Sequence, residues 1–164
     1  MTRKGLFTLA ALGLASLALA QDPAPAPMTD WTKLTEAQWK KRLTPNQFSI
    51  LRKAATEPAF GNGLWNNHAA GTYICAGCAN VLFSSATKFE SGTGWPSFYK
   101  PFARTSVEEK KDADGQRAEI LCARCKGHLG HVFNDATGDF GIPKEPGGMR
   151  YCMNSGAMKF VKKK

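Results

Sequence analysis

The sequence predicts a mainly β domain in which antiparallel strands follow two short N-terminal helices. From residue 73 onward, short apolar or β-branched runs are separated by Gly, Asn and Asp, a pattern typical of strands joined by turns. The 164 residues include 16 Gly and 9 Pro, and this turn-forming content argues against a bundle of long helices. The length favours one domain, and 43% hydrophobic with 21% charged residues is globular composition.

The first 20 residues have the pattern of a secretory signal peptide. Arg3 and Lys4 precede an apolar run that ends in Ala18-Leu19-Ala20, a small-x-small pattern before Gln21. The run is shorter than the ~20 residues of a membrane-spanning helix. We therefore predict cleavage and export to the periplasm, the cell envelope or the medium, without membrane insertion of the mature chain. The alternatives are an uncleaved anchor or an N-terminal helix.

Residues 21–30 form a Pro/Ala-rich linker by composition, and residues 31–164 are predicted to form one domain. Two capping boxes at its start predict two short helices. The second helix is expected to present Phe48, Leu51 and Ala55 on one face and to end near Pro58 and the Gly61–Gly63 turn. The capping pairs are Thr35 with Gln38, and Thr44 with Gln47, with Pro45 at the first helical position.

Six short runs after the helices predict strands of antiparallel sheets. Residues 112–115 are expected to form a turn between two of them, and the segment 136–146 is expected to be a long loop. The predicted strands are Tyr73–Ile74, Val81–Phe83, Ala118–Leu121, His131–Phe133, Met149–Met153 and Met158–Val161.

Four of the five cysteines form two Cys-x-x-Cys pairs, Cys75 with Cys78 and Cys122 with Cys125. Each pair places two thiolates on one side of a tight turn, and two facing turns supply the four sulfur ligands that structural zinc prefers. The alternative is two disulfides, which export would permit, although a disulfide within a Cys-x-x-Cys pair is typically redox-active. We predict one structural Zn²⁺ per chain, in a site without an open position for substrate.

Cys152 has no partner in the sequence and lies in a run that predicts a strand. Arg150 and Asn154 are each two residues away and therefore share its face of the strand. A neighbouring cation lowers the pKa of a thiol, and the thiolate is the nucleophilic form. His128 and His131 offer imidazoles as proton donors. These residues indicate a cysteine nucleophile with an acidic pKa, and the alternative is a buried, inert thiol.

The net charge of +9 makes nucleic acid or anionic lipid a partner to consider. Predicted export disfavours nucleic acid, and the sequence has no stripe of Lys and Arg apart from its tail at 162–164. Two classes remain beside an enzyme. One is an exported zinc-ribbon-like binding module, and the other is a zinc-stabilised structural domain with an inert Cys152.

Several linked motifs resemble, in their order, those of the B-type methionine sulfoxide reductases. The resemblance covers the chain from about Trp31 to Val161, and this makes it more specific than any single motif. Arg52, Thr56–Pro58 and Phe60 are similar to the N-terminal lead-in of that family. The motifs are Thr72–Cys78, Lys88–Phe98, Cys122–Cys125, Gly127–Asp135 and Arg150–Ser155.

The resemblance implies two antiparallel sheets pinned by a structural zinc, and reduction of methionine-(R)-sulfoxide in proteins. Cys152 would attack the sulfoxide sulfur and become a sulfenic acid, while His131 would hold the proton on the departing oxygen. Asn154 and Arg150 would orient that oxygen or stabilise the thiolate, and Trp95 would pack against the S-methyl group. The other residues assigned to substrate binding or its support are His128, Phe133 and Asp135.

One departure from the family pattern concerns recycling. Many relatives carry a second, resolving cysteine at the position of Thr93, and the other four cysteines of this chain are assigned to zinc. We therefore expect an external thioredoxin-like dithiol to reduce the Cys152 sulfenic acid directly. The alternative is a zinc cysteine that serves as the resolving thiol with release of the metal. The remaining partners are oxidised protein substrates, and the protein is expected to be a monomer.

Overall fold

The computed structural model describes residues 29–111, 117–135 and 148–164. The predicted signal peptide, most of the predicted linker, the turn at 112–115 and the segment 136–146 lie outside the described residues. The predicted fold class is confirmed, since the domain is mainly β with two antiparallel sheets and two short α-helices. No helix in the described part of the chain has the length and apolar character needed to cross a membrane.

Both predicted capping boxes form, and each fixes the start of a helix. Helix α1 spans Glu36–Arg42, and helix α2 spans Pro45–Lys53. In each box the threonine hydroxyl accepts a hydrogen bond from the backbone N–H of the glutamine, whose side chain accepts one from the threonine N–H. Reciprocal capping satisfies backbone donors that the first turn of a helix leaves without partners.

Helix α2 ends earlier than the sequence predicts. Ala54 adopts a left-handed conformation with φ 53°, which stops the helix four residues before Pro58. Ala55 therefore lies beyond the helix, whereas Phe48 and Leu51 are buried as predicted. Ile50, outside the predicted face, is fully buried as well.

The described residues form nine strands in two sheets, with every pairing antiparallel. The strands are β1 Gly71–Cys75, β2 Val81–Ser84, β3 Lys88–Phe89, β4 Ser97–Phe98, β5 Val107–Lys111, β6 Arg117–Cys122, β7 His128–Phe133, β8 Arg150–Met153 and β9 Met158–Lys162. The smaller sheet has the order β2-β1-β9, and the larger sheet has the order β3-β4-β8-β7-β6-β5. Strand β8, which carries Cys152, therefore lies in the interior of the larger sheet.

Three strands, β3, β4 and β5, are absent from the sequence prediction. Strands β3 and β4 have two residues each, too few to show a period of two. Strand β5 reads Val-Glu-Glu-Lys-Lys and lies at an edge with four exposed charged side chains, so it shows no apolar alternation. Strand β7 also begins at His128, three residues before its predicted start.

A cluster of aromatic rings joins the two sheets in the core. Phe83 of β2 stacks on Phe98 of β4 with ring centroids 4.3 Å apart, and Tyr73 of β1 meets Phe98 edge-on at 4.9 Å. All three rings are fully buried. Helix α2 packs against β7 and against the turn after β8. The core therefore supports the larger sheet at the strands that surround Cys152.

Candidate active site and metal centre

A cavity of about 210 Å³ lies beside Cys152 on the larger sheet. It brings together a thiol, an imidazole, a guanidinium group and two aromatic rings. A larger cavity of about 830 Å³, near Tyr99 and Phe102, has no thiol or imidazole among its described lining residues. We therefore take the smaller cavity as the candidate site. Its lining residues are Thr56, Trp95, Arg117, Gly130, His131, Phe133, Cys152, Met153 and Asn154.

Strand pairing places four polar side chains in one row across the sheet. Cys152 on β8 pairs with Ser97 on β4 and with His131 on β7, and His131 pairs in turn with Glu119 on β6. Directly paired residues project to the same face, with Cβ atoms about 4.5–5.5 Å apart. The thiol of Cys152 therefore lies between the Ser97 hydroxyl and the His131 imidazole.

The close approach of β7 to β8 depends on a glycine. Gly130 precedes His131 and pairs with Met153, and its φ of 155° is uncommon for residues with a side chain. A Cβ atom at this position would overlap the carbonyl oxygen of Cys152. Glycine therefore allows the strand of the imidazole to lie directly against the strand of the thiol.

Burial raises the pKa of the Cys152 thiol above its ordinary value. The hydroxyls of Thr93 and Ser97 and the charge of Arg150 act in the opposite direction, without overcoming burial. The prediction of an acidic thiol is therefore wrong, although Arg150 does lie on the predicted face and does lower the pKa. Burial of Cys152 therefore favours the protonated thiol.

Arg150 forms a two-pronged ion pair with Asp135. Its Nε and Nη2 atoms donate to the two carboxylate oxygens at 2.9 and 2.6 Å, and its guanidinium lies 4.4 Å from the ring centroid of Phe133. The hydrogen bonds from Arg150 lower the pKa of Asp135. Asp135 does not line the cavity. It holds the Arg150 guanidinium between Phe133 and the thiol instead.

His128 lies behind the cavity wall rather than in it. The side chain is 4% exposed, and its Nδ1 atom is 2.8 Å from the carboxylate of Glu119. Its Nε2 atom has no partner among the described residues. The ring meets that of His131 at 66°, with centroids 5.4 Å apart. His128 therefore supports the imidazole that faces Cys152 and does not reach the cavity itself.

Glu57 is a site residue that sequence reasoning did not assign. Its side chain is buried, and its two carboxylate oxygens accept hydrogen bonds from the backbone N–H groups of Ser155 and Gly156, just after β8. Its backbone N–H donates to Asn154 Oδ1 at 3.0 Å, and its carbonyl accepts from Trp95 Nε1 at 3.1 Å. One residue therefore fixes both Trp95 and Asn154. The local sequence around Glu57, Thr-Glu-Pro, has no apolar pattern that would predict burial of the glutamate.

The amide of Asn154 is oriented from both ends. Oδ1 accepts the hydrogen bond from Glu57, and Nδ2 donates to the carbonyl of Leu129 at 3.0 Å. Since a carboxamide nitrogen carries two hydrogens, Asn154 Nδ2 has a second hydrogen for which the described residues show no acceptor.

The four remaining cysteines meet at the ends of β1 and β6 and in the turns that follow. All four are buried, and their sulfur atoms lie within 4.8 Å of one another. The distances from Cys75 to Cys125 and from Cys78 to Cys122 are 3.7 and 3.5 Å. A tetrahedral Zn–S length of about 2.3 Å implies sulfur atoms about 3.8 Å apart, so the cluster has the size of a zinc site.

The charge of the cluster also fits a divalent cation. Hydrogen bonding to the Cys122 sulfur, with burial in support, raises the pKa of the Cys75, Cys78 and Cys125 thiols. A divalent cation among the four sulfur atoms would balance the charge of the thiolates that bind it. Arg52 and Arg124 donate to the carbonyls of Cys125 and Cys78, and these bonds hold the two turns from outside.

Comparison with known proteins identifies the family. The SelR domain profile matches residues 43–162 of this chain. A peptide methionine sulfoxide reductase MsrB from Leptospira interrogans is 52% identical over 130 residues, which cover 78% of this chain and 94% of that protein. The chain belongs to the MsrB family of peptide methionine sulfoxide reductases.

Other MsrB relatives are similar over the same region. The protein from Bradyrhizobium diazoefficiens is 49% identical, covering 79% of this chain and 89% of its own length. Peptide methionine sulfoxide reductase B1, chloroplastic, from Arabidopsis thaliana is 45% identical, covering 82% of this chain and 64% of its own. The family resemblance stated from the motifs is thereby confirmed.

The structure brings together only some of the residues predicted for an MsrB site. Cys152, His131, Trp95, Phe133 and Asn154 line the cavity, and three other residues of the predicted set do not. Those outside the lining are Arg150, His128 and Asp135.

Proposed function

We propose that this MsrB-family protein reduces methionine-(R)-sulfoxide in oxidised proteins to methionine, with Cys152 as the nucleophile. The observation that carries the proposal is the direct pairing of Cys152 with His131 in a cavity that also holds Trp95. The names of its relatives support the reaction class. The alternative, an exported zinc-binding module with an inert Cys152, is not favoured by family membership.

The raised pKa of Cys152 suits the stoichiometry of the reaction. A thiol and a sulfoxide give a sulfenic acid and a thioether, so the protein sulfur loses two electrons and the substrate sulfur gains them. Attack of the Cys152 sulfur on the sulfoxide sulfur forms an S–S bond as the protonated oxygen leaves as water, and a water molecule then breaks that S–S bond to give the sulfenic acid and methionine. The two steps together require no net proton. Because burial favours the thiol form of Cys152, its proton is available to pass to the sulfoxide oxygen as the sulfur attacks.

The pairing of His131 with Cys152 supports a role for His131 in moving that proton. His131 faces the thiol across paired strands, and an imidazole exchanges protons near neutral pH. His128 and Glu119 stand behind it and orient its ring. Protonation of the sulfoxide oxygen makes the sulfur electrophilic, and an acid is needed for this as the S–O bond breaks.

Trp95 and Asn154 would orient the sulfoxide. The indole N–H of Trp95 is held by the Glu57 carbonyl, so its ring face is available to the S-methyl group of the substrate. The second amide hydrogen of Asn154 would donate to the sulfoxide oxygen. Phe133 closes the apolar side of the cavity, and Arg150, held by Asp135, favours the thiolate as it forms.

Zinc would be held by Cys75, Cys78, Cys122 and Cys125. Its contribution is structural, since a fourfold sulfur shell leaves no position for a substrate. Zinc would cross-link the turn after β1 to the turn after β6. Strand β6 contains Arg117 and Glu119, which lie near the site.

Recycling and location extend the proposal beyond the reaction. We propose export directed by residues 1–20, a monomeric protein, and an external thioredoxin-like dithiol as the reductant. The sulfenic acid of Cys152 would form a mixed disulfide with the first thiol of the reductant and release water. The second thiol would then free Cys152.

The decisive experiment is turnover of the separate R and S epimers of a blocked methionine sulfoxide, with dithiothreitol as reductant. We expect reduction of the R epimer, and loss of that activity in Cys152→Ser with the fold and bound zinc retained. Equal turnover of the S epimer, or activity in Cys152→Ser, would contradict the proposal.

A further inference from the structure

Three hydroxyl groups form a connected cluster against the sulfur of Cys152. Thr93 Oγ1 lies 3.8 Å from Cys152 Sγ and 2.8 Å from Ser91 Oγ. Ser97, fully buried and paired with Cys152 across the strands, donates to Ser91 Oγ at 2.8 Å. Ser91 therefore links two hydroxyls that both face the thiol.

The cluster can serve more than one state of the sulfur because a hydroxyl both donates and accepts hydrogen bonds. The Thr93 hydroxyl can donate to a thiolate or to the oxygen of a sulfenate, and can accept the proton of a sulfenic acid after rotation. When the Thr93 hydroxyl rotates, the hydrogen bonds of Ser91 to Thr93 and Ser97 allow the Ser97 hydroxyl to reorient as well. Cationic groups such as Arg150 lack this capacity, since a guanidinium donates only.

We infer that the hydroxyl cluster of Ser91, Thr93 and Ser97 holds the Cys152 sulfenic acid and protects it until an external thiol attacks. The inference rests on the proposed function for the source of the sulfenic acid. A thiol at position 93 would attack the sulfenic acid, release water and form a disulfide. The hydroxyl of Thr93 is a much weaker nucleophile and hydrogen-bonds to the sulfenic acid instead. The Cys152 sulfenic acid therefore persists in a hydrogen-bonded form until the external thiol reacts with it.

The hydrogen bonds also oppose further oxidation. A sulfenate becomes a sulfinic acid when its sulfur attacks a peroxide oxygen, and water leaves. Hydrogen bonds donated to the sulfenate oxygen withdraw electron density from that sulfur and slow the attack. The Thr93 hydroxyl, 3.8 Å from the Cys152 sulfur, is within reach of an oxygen bound to that sulfur.

The test compares Thr93→Val with the wild type in the metal-loaded protein. One equivalent of substrate sulfoxide without reductant generates the sulfenic acid, and the released methionine is measured. A fixed excess of hydrogen peroxide is then added, and dimedone-trappable Cys152 and sulfinic acid are followed by mass spectrometry. Loss of one hydrogen bond should accelerate sulfinic acid formation about three- to tenfold. Thr93→Ser should keep the rate within about twofold of wild type.

Two further variants make the result specific. Thr87→Val removes another buried hydroxyl, which bonds to the Ser84 and Lys100 carbonyls away from the site, and should behave as wild type. Thr93→Cys should yield an internal disulfide in place of the dimedone adduct, because position 93 is within reach of the sulfur. An adduct that persists in Thr93→Cys would overturn the inference.

Failure of the inference differs from failure of the proposed function. An equal rate of sulfinic acid formation in Thr93→Val and wild type, with methionine released by both, would overturn the inference alone. Absence of methionine from the wild type would contradict the proposed reaction. The cluster would then be tested on sulfenic acid made with one equivalent of hydrogen peroxide, and the same comparison of rates would decide it.

Discussion

The backbone N–H of Glu57 donates a hydrogen bond to the side-chain oxygen of Asn154, 97 positions later in the chain. The same residue accepts from the indole of Trp95 and binds two backbone N–H groups with its carboxylate. The buried Glu57 therefore holds two residues of the candidate site in position without lining the cavity itself.

Glu57→Gln is expected to destabilise the domain and to weaken catalysis. The amide nitrogen cannot accept from the N–H of Ser155 or Gly156, so at least one buried donor loses its partner. The free energy of unfolding should fall by about 1–3 kcal/mol, measured by urea denaturation. The matched control is Glu36→Gln, which changes an exposed carboxylate on α1 and should leave kcat/KM unchanged. Wild-type stability and activity in Glu57→Gln would contradict this role.

His131→Ala is expected to slow the chemical step more than it weakens binding. A proton is required only as oxygen leaves sulfur, and acid–base catalysis typically contributes about 10²–10⁴-fold. The kcat for the R epimer should fall within that range while KM changes little. A kcat within about twofold of wild type would remove His131 from the mechanism.

Trp95→Ala should affect KM more than kcat, the reverse of the effect expected for His131→Ala. Loss of the aromatic face weakens recognition of the S-methyl group in the ground state and in the transition state alike, so KM should rise more than kcat falls. Steady-state kinetics on the blocked R sulfoxide measures both constants. An unchanged KM would mean that the methyl group packs elsewhere in the cavity.

Alkylation of Cys152 is expected to require alkaline pH. Burial raises its pKa, so the rate with iodoacetamide should rise with pH around a midpoint above the ordinary thiol value of about 8.5. The titratable and charged groups around the thiol are Arg150 with its partner Asp135, His131 across the strands, and Arg117 at the cavity wall. Arg150 lowers the pKa, so Arg150→Gln should move the midpoint upward. A wild-type midpoint near neutral pH would contradict the effect of burial.

Cys75→Ser and Cys122→Ser are expected to lose metal and stability together. Binding energy at a closed sulfur site is folding energy, so removal of one ligand weakens both. Metal analysis should find about one zinc per wild-type chain and much less in either variant. Freshly folded wild-type protein without zinc, with these cysteines in disulfides, would overturn the metal assignment.

The sequence predicted those parts of the structure that depend on local pattern. The capping boxes, the Cys-x-x-Cys turns and the face shared by Arg150 and Cys152 all follow from spacing within a few residues. Strand β4 escaped prediction because it has two residues, although its Ser97 faces Cys152.

Other features depend on contacts between distant segments. The high pKa of Cys152 reflects burial by several elements, and no neighbour in the sequence reveals it. In the sequence Glu57 looks like an exposed charged residue. Only the fold shows that its carboxylate binds the backbone N–H groups of Ser155 and Gly156, nearly a hundred positions later. Asp135 resembles a turn residue until its pairing with Arg150 is known.

Two short contacts in the four-cysteine cluster join its two Cys-x-x-Cys segments, with Cys75 Sγ 3.7 Å from Cys125 Sγ and Cys78 Sγ 3.5 Å from Cys122 Sγ. If an oxidant stripped the metal, contraction of these contacts to a disulfide length of about 2.05 Å would cross-link the two turns rather than close each on itself. Zinc and disulfides would thus fasten the same two segments. A domain proposed to repair oxidative damage would keep its architecture after its own centre had been damaged.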